Sequence, residues 1–149
     1  MKAAVAACTL IMLAACGGNP AEERAAKLLE EARSQLEKGE YTDALSTIDS
    51  LRKSCPEAIE GRKNALKLYQ EVELKRARLN VEATDTVLQR IEREYLQMKA
   101  AVDSLRGRGL ATEEQLRAVN LLRVKRDSLK TVFDVECAKI KYINKKMKE

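Results

Sequence analysis

The most reactive nucleophiles in this chain are its four cysteines, at positions 8, 16, 55 and 137, and there is no histidine to serve them. Imidazole is the commonest general base and the commonest metal ligand, so its absence removes two large classes of mechanism together. The carboxylate pairs Glu30–Glu31 and Glu113–Glu114 fall on helix faces expected to be exposed, where no burial tunes them for acid–base work. There is no Gly-x-Ser-x-Gly, no phosphate loop ending in Gly-Lys-Ser/Thr, no His-Glu motif and no Cys-x-x-Cys. "GRGLAT", residues 107–112, has no strand before it and so is no dinucleotide turn. The basic residues have no interleaved aromatics, which argues against nucleic-acid binding. These exclusions point to a non-enzymatic protein with no small-molecule substrate.

Cys16 differs from the other three in its setting. Lys2 is followed by an unbroken run of small or apolar residues from Ala3 to Ala15. As a helix that run is roughly 20 Å long, short of a ~30 Å hydrocarbon core. It is therefore expected to be a cleavable leader rather than a permanent span. The run ends in Leu13-Ala14-Ala15-Cys16-Gly17, which resembles the bacterial lipobox. That resemblance implies diacylation of the Cys16 thiol, removal of residues 1–15, and a mature chain beginning at Cys16. The acyl chains would be its only non-protein group. Two or three acyl chains on one residue give stable membrane anchoring where one does not. By resemblance to Gram-negative lipoproteins, Gly17 after the cysteine implies the outer membrane, with the periplasmic or surface face left open. The "DSLRK" and "ALKL" runs also resemble lipoproteins of the Bacteroidota.

The remaining elements must carry whatever that anchor holds. Residues 16–19 form a lipidated tether. Asn19-Pro20 then starts a helix with a capping Asn, Pro at the first position, and Glu22 three after the cap to reach back. Apolar spacing predicts a first helix over about 20–38, with Ala25, Leu28, Leu29, Ala32 and Leu36 on one face. Gly39 ends it, Thr42 is expected to cap a second helix burying Ala44, Leu45, Ile48 and Leu51, and Pro56 closes that one. Residues 25–56 resemble one tetratricopeptide repeat. Leu28, Ala32, Gly39, Tyr41, Ala44, Ile48 and Pro56 stand at its signature positions, while Glu31, Gln35 and Leu51 depart from it. A third helix is expected from near Glu57, using Ile59, Leu66 and Tyr69 as apolar positions. No second glycine turn follows within repeat length, so there is no array. Residues 20–69 are assigned to this repeat-like pair and the start of the third helix.

Residues 70–149 carry a different pattern. Leu74, Ala77, Val81, Thr84, Leu88, Ile91, Tyr95, Met98, Val102 and Leu105 alternate steps of three and four. Arg106-Gly107-Arg108-Gly109 breaks the run, and Thr112-Glu113-Glu114-Gln115 is a capping box that restarts it. The second seam runs Val119, Leu122, Arg126, Leu129, Phe133, Glu136, Ile140, Ile143 and Met147. Folded back at the glycines, facing residues keep a constant index sum of 217, so Leu88 meets Leu129 and Thr84 meets Phe133. This predicts an antiparallel coiled-coil hairpin. Arg126 and Glu136 are expected to lay their stems along the seam and extend their heads to water. The same geometry keeps Cys55 and Cys137 too far apart to pair.

The expected fold is all-α: a repeat-like helix pair followed by a long antiparallel coiled-coil hairpin. The expected role is a lipid-anchored envelope scaffold or adaptor that engages a protein partner or a second copy of itself. Leu121, Val132, Val135 and Tyr142 beside the seam are the residues for such contacts. The alternative is a peptide-binding module whose groove is lined by Leu28, Tyr41, Ile48 and Tyr69. The five lysines of "KIKYINKKMKE", residues 139–149, suit either an anionic partner or a solvated helix end.

Overall fold

The computed structural model describes residues 19–149. The expected leader 1–15, Cys16 and the Gly17-Gly18 tether lie outside the described residues. Four helices follow: α1 (Pro20–Lys38), α2 (Tyr41–Ser54), α3 (Ile59–Gly107) and α4 (Glu113–Lys146). The described chain is all-α. At ~1.5 Å per residue, the 49-residue α3 is about 74 Å long and runs through the whole molecule.

Two of the three chain reversals are glycine turns. Gly39 (φ 79°) and Gly109 (φ 72°) both sit in the left-handed region that a side chain disfavours. At the first, Glu40 N–H donates to Gln35 O at 2.9 Å and Gly39 N–H to Leu36 O at 3.2 Å. At the second, Leu110 N–H donates to Leu105 O at 2.9 Å and Gly109 N–H to Arg106 O at 3.0 Å. Each is a Schellman ending, which satisfies carbonyls that the helix itself leaves open. The hairpin tip is thus set by Gly109; Gly107 is still helical.

The helix starts differ from expectation at two places. Thr42 does not cap α2. The helix begins at Tyr41 with Glu40 as its cap residue and no side-chain cap bond, because the glycine turn delivers the chain directly into helical geometry. Glu22 does not reach back to its own helix start either. Asn19 Oδ1 accepts from Ala21 N–H at 3.0 Å, while the Glu22 carboxylate accepts from Glu60 N–H at 3.1 Å and Gly61 N–H at 2.9 Å. It therefore caps α3, whose own cap residue, Ala58, offers no side-chain bond. A carboxylate is favoured there because the first amides of a helix are unpaired and its N-terminus is positive.

That contact fixes the topology of the lower part of the molecule, called the head. The start of α1 lies on the start of α3, and α1 runs parallel to it. Its core is closed by α1, α2 and the first turns of α3, with Leu29, Leu36, Ile48, Leu51, Leu68 and Val72 buried. Gln35, a departure from the repeat pattern, accepts a 2.9 Å hydrogen bond from the Thr47 hydroxyl and so ties α1 to α2. The face that α3 turns to the head is Gly61, Ala65, Leu68 and Val72, not the expected Ile59, Leu66 and Tyr69. Small residues let the helices close: a Cβ on Gly61 would lie 2.5 Å from Ala25 Cβ. Ile59, Leu66 and Tyr69 occupy the opposite side of α3 and are exposed.

Above the head, α3 and α4 form an antiparallel hairpin, the arm, in which α4 packs against α3 alone. The expected seam is the buried side. Leu74, Ala77, Ile91, Tyr95 and Val102 on α3 and Ile143 on α4 are buried, and most other seam positions are half-buried. Met98 and Met147 are exposed. Both expected polar seam residues keep their heads closer to protein than predicted. The Arg126 guanidinium stacks over the Tyr95 ring at 4.4 Å and bonds Asp127 at 2.7 Å, rather than extending freely to water. Its pKa is raised by the hydrogen bond to Asp127, so it stays cationic. Glu136 Oε2 is buried and accepts no hydrogen bond; its charge is met by Lys139 Nζ at 3.5 Å.

Candidate functional site

Antiparallel packing of α4 brings its last turns down beside the first turns of α3. There Leu66, Tyr69, Gln70 and Glu73 face Lys139, Tyr142, Ile143 and Lys146 across an open groove of about 450 Å3. Two tyrosines, Leu66 and Ile143 make it mainly apolar. At its upper end Lys139 lies between two carboxylates, 3.4 Å from Glu73 and 3.5 Å from Glu136, and Arg76 approaches Glu73 at 3.5 Å. Both carboxylates are only about one-seventh exposed, 13% and 14% by side chain. One lysine between them balances charges that would otherwise repel in a partly dry setting. This arrangement can seat an apolar side chain with a polar flank. It holds no nucleophile–base pair. Among the described residues no cluster of three or more His, Cys, Asp or Glu is placed to hold a metal ion.

The four residues expected to line a groove do not share one. Ile48 is 1% exposed, inside the head core. Leu28 and Tyr41 pack, partly buried, at the edge of that core. Tyr69, 40% exposed, lies in the groove with α4. The partner of Tyr69 is thus Tyr142, 73 positions along the chain. Leu66, Tyr69 and Glu73 are spaced by three and then four. That spacing was the signal that they continue the arm's seam downward rather than belong to the head.

Cys55 and Cys137 are both free. Cys55 is buried in the head, while Cys137 is half-buried on α4. Among the described residues no helix is long and apolar enough to cross a membrane.

The other candidate surface is the outer face of α4. Leu121, Val124, Val132, Val135 and Tyr142 are exposed there, Leu121 to 70%. With Ser128, Thr131 and Ala138, most of them form a second stripe at three-and-four spacing beside the seam, whose two ends, Leu121 and Tyr142, also border grooves with Met98 and Tyr69 of α3. A helix with two apolar stripes and one neighbour has half of its packing surface unused.

Comparison with protein-family models, with curated proteins and with solved structures gives no match. What the surfaces above can do therefore rests on their own chemistry.

Proposed function

We propose that this chain is a lipid-anchored envelope protein of Gram-negative type, acting as a non-enzymatic scaffold or adaptor. Cys16 holds it in the outer membrane, and the arm presents a binding face to a protein partner or a second copy. The observation that carries the adaptor role is the uncovered apolar stripe on α4. An isolated two-helix hairpin leaves such a stripe in water, whereas a third or fourth helix laid against it completes a bundle. The anchor role rests on Leu13-Ala14-Ala15-Cys16 and on the short connection that follows it. Crosslinking and pull-down of the lipidated protein from its native envelope tests the adaptor. A clean absence of partners, and of self-crosslinks through α4, overturns it. Cys16→Ser tests the anchor: the leader-free variant is expected to leave the membrane fraction in high salt, and retention there through high salt defeats it.

A second reading, peptide binding, keeps one observation in its favour. Tyr69 is accessible and sits in a groove with Tyr142 and Leu66 that is large enough for an apolar side chain. Its groove would be the α3–α4 one, since Ile48 cannot be reached. If binding of a captured partner falls on Tyr69→Ala and is indifferent to Val135→Glu, this second reading replaces the first.

A further inference from the structure

Most of the net charge of this protein is spatially sorted. The start of α1, the α2–α3 corner and the last turn of α4 meet at one end, because Glu22 binds the start of α3 and Lys146 lies beside Leu66. Residues 19–24, 52–63 and 143–149, which build that end, hold eight basic and five acidic side chains. The rest of residues 19–149 holds 19 basic and 18 acidic ones. Most of the positive excess is therefore at the base.

Apolar groups stand among those charges. Ile59 is 76% exposed, two turns before Leu66, which is exposed beside it and borders the end of α4. Arg52, Arg62 and Lys63 surround Ile59 and Leu66 in a shallow pocket of about 290 Å3. Arg62 is held in place by donating to Pro56 O at 3.2 Å, and Glu60, 3.9 Å from Lys63, is the single carboxylate paired with any of the three. Arg52, Lys141, Lys145 and Lys148 pair with no carboxylate among the described residues. Cations around an exposed aliphatic side chain match a bilayer interface: phosphates for the charges, acyl boundary for the isoleucine.

We infer that the base of the molecule is a docking surface for anionic phospholipid, with Arg52, Arg62 and Lys63 contacting headgroup phosphates and Ile59 entering the interface. This deepens the anchoring proposal and rests on it only for which end faces the membrane. Four residues of chain from Cys16 to Pro20 reach at most ~14 Å. An anchored protein would therefore hold its base near the surface, where basic residues feel an anionic leaflet across about one Debye length. The lipid tail supplies residence, and the basic end supplies orientation, standing the arm away from the bilayer.

The test uses the full chain and vesicles of phosphatidylcholine, alone or mixed with phosphatidylglycerol. The ratio of partitioning into the two isolates the charged base, since any leader or acyl contribution enters both. The ratio is expected to exceed tenfold at low salt, to fall with added salt, and to drop about tenfold in the triple variant Arg52→Gln, Arg62→Gln, Lys63→Gln. Arg106→Gln with Arg108→Gln, at the arm tip, is expected to leave it unchanged. The chain has no tryptophan, so Ile59→Trp gives a site-specific signal, expected to shift blue on anionic vesicles while Leu110→Trp at the tip does not. Equal ratios for base and tip variants overturn the inference. So does a blue shift that follows protein concentration without vesicles, which would make the base a contact between copies. Cys16→Ser separates the two readings: leader-free protein that high salt strips from membranes is held by the base alone, whereas retention through high salt counts against the lipid anchor and leaves the ratio unaffected.

Discussion

In the head, Leu68 and Val72 of α3 are sealed by two further helices, and the core there reaches full burial at Ile48, Leu51 and Cys55. In the arm, the same α3 meets α4 alone, and its seam partners Leu129 and Phe133 stay half-buried. The amino-acid types in the two regions are similar, mainly Leu, Ile, Val and Ala. What differs is the number of neighbours. Three elements can surround a side chain, whereas two always leave the flanks of a seam open to water. The head closes its own core, and the arm leaves the flanks of its seam open.

The largest effects that could break this contrast come from cutting side chains in each region. Leu51→Ala leaves a cavity in a closed core and should cost about 3 kcal/mol in chemical denaturation. Leu129→Ala, at a site that water can refill, should cost about 1 kcal/mol. Equal losses would mean that the arm is closed in solution. If the Leu129 loss grows with protein concentration, a second copy is what closes it.

Two helical glycines sharpen the comparison with opposite signs. Gly61→Ala forces a Cβ to 2.5 Å from Ala25 Cβ and should destabilise by about 1–3 kcal/mol. Gly107 has nothing within 4 Å of an added Cβ and is helical, so Gly107→Ala should be neutral or stabilise by up to ~1 kcal/mol. Thermal unfolding of the pair reads both.

Smaller effects follow at the helix starts. Glu22→Ala should cost about 1 kcal/mol and speed hydrogen exchange at the Glu60 and Gly61 amides, 38 and 39 positions away. Unchanged exchange there would show that the clasp is not formed. Thr112→Ala removes a capping box whose two bonds measure 2.9 and 3.2 Å and should cost about 1 kcal/mol. Thr42→Ala, at an exposed position that caps nothing, should stay within ~0.5 kcal/mol.

The seams were legible because one helix repeating against one neighbour writes its partner's period into the sequence. Leu88 and Leu129, or Ile91 and Tyr95, need only the three-and-four spacing to be found. The capping box at Thr112 is likewise local, four residues long. The face of α3 in the head was not legible in the same way. Between residues 59 and 74 that helix has neighbours on two opposite sides, so apolar residues occur all round and the larger ones drew the assignment. The better signal was the small pair Gly61 and Ala65, four apart, which marks a close helix approach. Glu22 shows the limit of local reading most plainly. Its spacing from Asn19 suits a capping box, but two unpaired amides on α3 compete for the same carboxylate, and nothing near Glu22 in the chain announces them. For the candidate surfaces, Leu121, Val135 and Tyr142 could be found from spacing. The groove around Tyr69 could not, since half of it comes from the far end of α4.

The matched period of the two arm seams also makes the arm a ruler. The head core on α3 ends at Val72, so the length of helix beyond it sets the reach of the arm. Seven residues added to α3 and seven to α4, placed at facing positions, would preserve both stripes and carry Gly109 about 10 Å farther out. Seven added to one strand alone would slide every pair above the insertion and spoil the seam. How far from its base this protein extends is therefore set by matched repeats, and it can be lengthened or shortened in steps without disturbing the head.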